Sequence, residues 1–355
     1  MRITILSWRD LAHPQAGGSE IVVDRLAAGL QTRGHQVQLV AGRPVGMREY
    51  PVFPSGGTFG QYLRTPVIAR RSLRETDLIV DISNGVPFFA PAWSRKPVIC
   101  LVHHIHGQQW RDYFPAPVAA MGSFAEQHVV PRLYARQHFV GISRSTCQEL
   151  AGLGIPQQRI HLVENGLDHK VLNPEPHEKS PTPLFLALGR IAVNKRLDLL
   201  LDMWERVRET TGGQLVIAGD GPELGPLRAR RVPGVEFTGR IDEVAKRSLL
   251  ARAWLLVHTA PREGWGLVVM EAAACGTPTL GFDVAGVRDT VLDGQTGHLA
   301  QSQQDFEARW TWLSCNEAER RRLGQQARDR AGAYTWDRSV ACFERAAQAA
   351  VSRVR

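Results

Sequence analysis

Glu263 and Glu271 stand eight residues apart in PREGWGLVVMEAAACGTPTL, one before a Gly-Trp-Gly turn and one inside the apolar, helix-like stretch that follows. Gly264 and Gly266 let the backbone approach a bound group closely and adopt positive φ, while the first N–H groups of the helix favour an anion. Carboxylates are poor partners for bare phosphate. A ligand that suits both features carries hydroxyls for the glutamates and phosphates for the backbone, as a sugar nucleotide does.

Other groups carry compatible chemistry. Arg190 closes the strand-like run LFLALGR and Lys195 follows five residues later, just before a helical pattern. A guanidinium fork and an ammonium point charge there would neutralise a diphosphate, although exposed basic residues near a turn are common. The first strand feeds a helix through WRDLAHPQAGGSE, where Gly17 and Gly18 expose N–H groups, Ser19 is the expected N-cap and Glu20 falls in the first turn. This is not GxGxxG, which weakens a dinucleotide reading. His103, His104 and His106 follow the run PVICLVH, but no acid or thiol stands at short spacing, so no metal site is expected. One of the three presenting its ring and carbonyl to a bound sugar is the favoured reading. Asn165 and Gly166 in VENGLD read as a turn closing the first domain.

These groups need a scaffold, and short apolar runs alternating with amphipathic stretches predict an α/β chain with helices on parallel sheets. The strands of the first half are RITILSW, QVQLVAG, DLIVDIS, PVICLVH, HFVGIS and RIHLVENG. Between the first two, Ser19 to Arg33 places Val22, Val23, Leu26, Ala27 and Leu30 on one helical face, with Gly34 as a left-handed stop. NPEPHEKSPTP then breaks the pattern, and LFLALGR, QLVIAGDG, VEFTG, WLLVHTA and TPTLGFDV begin it again. Residues 1–172 are thus one expected domain, 173–183 a linker and 184–334 a second domain. An amphipathic stretch over about 335–355 is expected to pack back on the first. The open-sheet rule places ligands at the carboxyl ends of the strands, so the facing ends of the two domains are expected to form one cleft.

The bulk properties fit. With 355 residues, 43% hydrophobic and 22% charged, the chain is long enough for two domains and has no signature of disorder. Five scattered cysteines without a CxxC pair predict neither a disulfide frame nor a zinc site, and buried thiols are the simplest reading. The net charge of +8 suits an anionic partner, but no long basic run, zinc-finger spacing or RNP-like pattern points to nucleic acid. Arg70, Arg71 and Arg74 read as a solvated face, with a membrane or acceptor contact as the alternative. Runs such as LFLAL and WLLV are too short to span a bilayer and the N-terminus enters a strand directly, so a cytoplasmic location is expected, at the inner face of the membrane where the protein meets one.

Taken together the residues resemble the retaining glycosyltransferases of the large family four, which have the GT-B architecture of two facing Rossmann-like domains. The resemblance runs over nearly the whole chain. It rests on GGSE at Gly17 to Glu20, VENGLD at Val163 to Asp168, GRIAVNKRLDLL from Gly189, GDGP from Gly219, EGWGLVVME, and GTPTLGFDVAGVRDTVLDGQTGHL from Gly276. It implies transfer of a hexosyl or deoxyhexosyl group from a nucleoside diphosphate sugar to an acceptor hydroxyl with retained anomeric configuration. Front-side attack, assisted by the leaving diphosphate, would need no separate base, no cofactor and no divalent metal.

Under this resemblance Arg190 and Lys195 hold the diphosphate, Glu263 binds the donor sugar, Glu271 binds the ribose, and His103 lines the reactive face, with His104 a rival for that place. The donor-binding set is Gly17, Gly18, Asn165, Arg190, Lys195, Glu263, Gly264, Trp265, Gly266, Leu267 and Glu271. The catalytic set is His103, Arg190, Lys195 and Glu263. Trp265 stands where the family often has Phe, and the loop from Pro44 to Arg64 matches no motif, although acceptor recognition in such enzymes belongs to the first domain. The implied partners are the nucleotide-sugar donor, a hydroxyl acceptor and a peripheral membrane contact, with oligomeric state left open. The competing readings are a GT-B-fold nucleotide-sugar epimerase or phosphorylase and a non-catalytic sugar-nucleotide-binding partner. A phosphorylase would need a longer chain and a pyridoxal phosphate lysine, and a silent partner would be expected to lack Glu263, Arg190 or Lys195.

Overall fold

Apolar runs without alternation belong to strands covered on both faces, and the first of them, β1 (Arg2–Ser7), is buried at every position but its first. It is part of a computed structural model that describes residues 1–57, 60–70, 74–169 and 178–352. The chain divides into two compact units, one of Met1–Gly166 with the helix Trp336–Ser352, the other of Leu167–Thr335.

In the first unit β1 joins β2 (Gln36–Ala41), β3 (Val52–Pro54), β4 (Leu78–Ser83), β5 (Val98–Val102), β6 (His138–Gly141) and β7 (Ile160–Leu162). All pair in parallel, in the order β3-β2-β1-β4-β5-β6-β7. The second unit repeats the scheme with β8 (Leu184–Leu188), β9 (Gln214–Ala218), β10 (Val235–Gly239), β11 (Leu255–His258), β12 (Thr279–Phe282) and β13 (Gly297–Ala300). Their order is β10-β9-β8-β11-β12-β13. In each sheet successive strands first build outward on one side and then on the other, so the direction reverses between β1 and β4 and between β8 and β11. Those reversals leave a crevice at the carboxyl ends, where ligands bind in open α/β sheets.

Two strands escape the sequence reading. VFP of β3 and GHLA of β13 are too short to show a pattern, and β13 begins with Gly297 because a Cβ there would lie 2.2 Å from the Thr279 carbonyl of β12. Helix Gly18–Thr32 is capped by Gly17, not Ser19 as expected, because the Glu20 carboxylate folds back and accepts from the Gly17 N–H at 2.8 Å. The Ser19 hydroxyl turns onto the same carboxylate, 2.9 Å away.

The core of the second unit centres on Phe185, Trp204, Phe306 and Trp310, with the Phe185 and Trp310 rings edge-on at 5.2 Å. In the first unit the helix Trp336–Ser352 packs on Gly18–Thr32, and Gly29 makes the approach possible: a Cβ there would meet Val340 at 2.4 Å. Leu167 and Thr335, where the chain enters and leaves the second unit, form a parallel bridge. Residues 173–177 of the expected linker lie outside the described residues. Its later part is pinned to the second unit: Lys179 Nζ donates to the Ala253 carbonyl at 2.9 Å, and Trp254 Nε1 to the Ser180 carbonyl at 2.7 Å.

None of the five cysteines is in a disulfide, but only Cys100 and Cys275 are buried; Cys315 is exposed, against the simple expectation of buried thiols. Arg70 and Arg74 are exposed, and Arg71 lies outside the described residues. Among the described residues no helix is long and apolar enough to cross a membrane.

Asp81 of β4 is fully buried, accepting from the Phe88 and Ala90 N–H groups and from the Tyr134 hydroxyl. Burial pushes its carboxyl up to about 6, against the downward pull of those donors. An unfolded aspartate titrates near ~3.9, so the folded state holds the proton more tightly and stability contributed by the protonated form is lost as pH rises from about 4 to 6. Asp81→Asn should flatten that slope. Urea unfolding midpoints of both proteins at pH 4 and pH 7 measure it, and equal slopes would exclude Asp81 as its source.

Candidate active site

The second unit assembles its polar groups at the reversal between β8 and β11. Two motif turns lie directly on one another there. Gly219 and Gly221 follow β9, and a Cβ on either would sit 1.8 Å from the Gly189 carbonyl or 2.1 Å from the Ile191 carbonyl. The Ile191 N–H donates to the Asp220 carbonyl at 2.9 Å and the Glu223 N–H to the Ile191 carbonyl at 3.1 Å. The GDG glycines therefore shape the turn that carries Arg190.

Beyond that turn a 3₁₀ turn, Val193–Lys195, ends on Arg196 in the left-handed region at φ 50°. The Thr259 hydroxyl lies 2.8 Å from the Lys195 carbonyl and 3.1 Å from that of Arg196, which fixes the turn from the end of β11. Lys195 Nζ donates to Glu263 Oε1. His258 Nε2, from the last residue of β11, stands 3.1 Å from the same oxygen. Burial would push the Glu263 carboxyl up, but Lys195 and His258 outweigh it and hold the group well below the usual carboxylate range. Glu263 is thus an anion at neutral pH, and its Oε2 has no partner among the described residues. Arg190 is exposed and also unpartnered among them.

Glu263 is held by its backbone as well. Its N–H donates to the Ala285 carbonyl at 3.1 Å, and Gly286, at φ +83°, lies so close that a Cβ would come 2.2 Å from the Glu263 carbonyl oxygen. Gly266, at φ +76°, caps the helix Leu267–Ala274, whose first N–H groups have no intrahelical acceptor. Glu271 sits in the second turn of that helix, buried, with Oε1 2.9 Å from Lys246 Nζ. Burial raises its carboxyl despite Lys246.

Lys195 and Glu263 are therefore paired and Arg190 lines one cavity with Lys195 and His258, while Glu271 is anchored to a different lysine. Gly264 and Leu267 flank the turn. Trp265, between the two glycines, has a buried side chain whose ring lies 5.5 Å from that of Tyr334.

The remaining expected residues lie in the first unit, each after a carboxyl end. Gly17 and Gly18 follow β1, but the Gly17 N–H is already taken by the Glu20 carboxylate, so Gly17 offers no free donor to a phosphate as it stands. His103 directly follows β5 and is buried; burial, with His106 nearby, lowers its pKa to about 4, so the ring is neutral at pH 7. His104 is half-buried and its ring stacks on His106 at 4.3 Å. Asn165 is buried beyond β7.

Sequence reasoning missed several groups. His258 and Thr259 were readable as polar residues at the end of WLLVHTA, where the open-sheet rule places chemistry. Glu126 carried no local signal. It sits in a π-helical turn, Ala125–Val129, and its carboxylate accepts from the His106 N–H at 2.7 Å, the Gly107 N–H at 2.9 Å and Trp110 Nε1 at 3.2 Å, so it ties down the loop after β5. Among the described residues no three His, Cys, Asp or Glu side chains converge as a metal site would require.

Each unit is an open parallel sheet with polar residues after its strand ends, and in the second unit a Lys–Glu pair joins the turns after β8 and β11. The chain belongs to the glycosyltransferases of family 4: residues 16–171 match the family described as Glycosyltransferase Family 4 and residues 170–330 that described as Glycosyl transferases group 1. It is 32% identical to the GDP-mannose-dependent alpha-(1-6)-phosphatidylinositol dimannoside mannosyltransferase of Mycobacterium tuberculosis, over 92% of this chain and 91% of that one. It is 25% identical to the N-acetyl-alpha-D-glucosaminyl L-malate synthase of Bacillus anthracis, over 81% and 82% of the two chains. Among solved structures, sucrose-phosphate synthase from Thermosynechococcus elongatus aligns with a TM-score of 0.79 at 20% identity, covering 97% of this chain and 98% of that one. Anabaena Alr3699/HepE in complex with UDP and glucose aligns at 0.76 and 17%, covering 99% and 100%. The fold is GT-B, and the protein is a glycosyltransferase.

Proposed function

We propose that the protein transfers a sugar from a nucleoside diphosphate sugar to an acceptor hydroxyl with retention, by front-side attack assisted by the departing diphosphate. The observation that carries this reading is the ionised Glu263, paired through one oxygen with Lys195 and left open at the other, at the β8–β11 reversal beside the unpartnered Arg190. The free oxygen suits a donor hydroxyl. Lys195 and Arg190 suit the charge that grows on the leaving diphosphate, and a lysine released from Glu263 by that diphosphate exchanges one anion for another. Glu271 would take the ribose, and the N–H groups that open the Leu267–Ala274 helix would take phosphate. The neutral ring of His103 would line the sugar's reactive face.

The donor is found by screening nucleoside diphosphate sugars for thermal stabilisation and slow hydrolysis, since a ligand that binds the folded state raises its melting temperature with the logarithm of its concentration relative to Kd. GDP-mannose heads the panel, because a relative at 32% identity is named for it. No stabilisation by any donor would remove the proposal.

Glu263→Gln should weaken donor-sugar binding by ~10-fold or more while leaving the bare nucleoside diphosphate nearly unaffected, since a neutral amide loses one charge-assisted hydrogen bond. Titration of both ligands decides it; equal losses would refute the sugar-binding role. Full turnover in excess EDTA is also expected, because two cations of the chain face the diphosphate. A strict requirement for added divalent metal would overturn that part.

A further inference from the structure

The segment Glu263-Gly264-Trp265-Gly266 has two glycines in four residues, so it has little stiffness of its own. What keeps it in place comes from later in the second unit. The short helix Val287–Thr290 lies against it: Gly286 at its start presses on the Glu263 carbonyl, and at its end a Cβ on Gly266 would meet the Thr290 hydroxyl at 3.2 Å. A helix of four residues is not a firm platform unless it is held as well.

Both holds come from the end of one long helix, Glu317–Ala331. It packs along Leu267–Ala274, and Gly324 makes the approach possible, since a Cβ there would lie 2.4 Å from the Gly276 carbonyl. From its last turn Arg330 Nη2 donates to the Asp289 carbonyl at 2.9 Å, inside the short helix. Just beyond, the buried Tyr334 has the Trp265 ring at 5.5 Å and the Arg330 guanidinium at 5.5 Å from its own ring centre. Both are distances of favourable contact, ring on ring and cation on ring. The tyrosine is itself tied down, its carbonyl accepting from the Leu167 N–H at 3.1 Å and lying 2.8 Å from His169 Nε2. Trp265 Nε1 is buried and has no hydrogen-bond partner among the described residues, a cost that a phenylalanine would avoid. What the indole gains is ring contact, and the ring it meets is that of Tyr334.

We propose that Arg330 and Tyr334 are positioning residues of the transfer site: Arg330 fixes the short helix on which Glu263 rests, Tyr334 fixes Trp265, and together they set where the Glu263 carboxylate stands. They act through Glu263 rather than on a substrate. Their effect on the reaction rests on the reading of Glu263 as the donor-sugar ligand, and their effect on the turn rests on the geometry alone.

The test uses the full chain, first without a ligand. The Glu263 N–H donates to the carbonyl of Ala285, the residue before Gly286, so its hydrogen exchange reports whether the turn still rests on the short helix. In Tyr334→Leu and in Arg330→Met that amide should exchange at least ~10-fold faster than in the parent, each protein measured at the same interval below its own melting temperature. Tyr334→Phe, which keeps the ring, should exchange as the parent does. So should Phe306→Leu, a change in the core around Phe185, Trp204 and Trp310. Parental exchange in Tyr334→Leu or in Arg330→Met, or fast exchange in Tyr334→Phe or Phe306→Leu, would overturn the proposal.

The second readout is kcat/KM with the nucleotide sugar that thermal screening selects. Tyr334→Leu should cost ~10-fold in the parent but less than ~3-fold in the Glu263→Gln background, because a residue that acts through Glu263 then has no carboxylate left to position. Equal costs in the two backgrounds would overturn the positioning role. A Glu263→Gln variant that binds the donor sugar as the parent does would instead remove the reading of Glu263, and the exchange rates would still decide whether Arg330 and Tyr334 hold the turn.

Discussion

Lys195→Ala is expected to lower kcat/KM by a factor on the order of 10²–10³, equivalent to about 3–4 kcal/mol of transition-state stabilisation. Two losses combine. In the proposed reaction the diphosphate would lose a cation where its charge grows, and Glu263 loses the partner that keeps it ionised. Burial is the largest influence on that carboxyl, and it acts upward; Lys195 is the strongest influence acting against it. Without the lysine the Glu263 group rises toward or beyond the ordinary glutamate range, so the variant should gain an acid limb in its pH profile that the parent lacks. Lys195→Arg restores charge but not the compact point contact, and should recover only part of the rate. Steady-state kinetics with the donor identified by thermal screening decide the matter. Turnover near the parent's would end the assignment of Lys195 to the diphosphate.

Gly286→Ala should cost ~10²-fold in kcat/KM although residue 286 offers no functional side chain. Its Cβ would lie 2.2 Å from the Glu263 carbonyl oxygen and 2.8 Å from the Glu263 Cβ, and the backbone at φ +83° is one that an L side chain adopts only under strain. The strand-end segment carrying Glu263 must move, and a displacement of about 1 Å in a group that positions a reacting centre is enough for such a loss. Affinity for the bare nucleoside diphosphate should stay within a few-fold of the parent's. A rate loss shared equally with loss of melting temperature would instead point to general unfolding.

Strand positions were legible because parallel strands covered on both faces are written as unbroken apolar runs, and LFLAL and QLVIA are found where they were expected. VFP and GHLA were not, because three or four residues carry no period and their place depends on β2 and β12 beside them. Among the site residues, the sequence placed Arg190, Lys195 and Glu263 near one another through motif order and the open-sheet rule. It could not show that Lys195 and His258 share one oxygen of Glu263, because that depends on how β8 and β11 lie side by side. Ser19 was a reasonable cap by type; it lost the place because Glu20 reaches back to Gly17 and satisfies the same end of the helix. The packing of Trp265 against Tyr334, sixty-nine positions later, could not be read from its neighbours in sequence.

Leu167 and Thr335 lie side by side in a parallel bridge, so the unit that carries Arg190, Lys195 and Glu263 is a single uninterrupted segment whose two ends meet. Such a segment behaves as a cassette. It can be lifted from one gene and set into another at one junction, because neither end has to be threaded across the host fold. Recombination could therefore exchange the half that carries Arg190, Lys195 and Glu263 while the other half keeps its own sheet, with its closing helix Trp336–Ser352, intact. New pairings of donor and acceptor would then arise by shuffling whole modules, without residue-by-residue change.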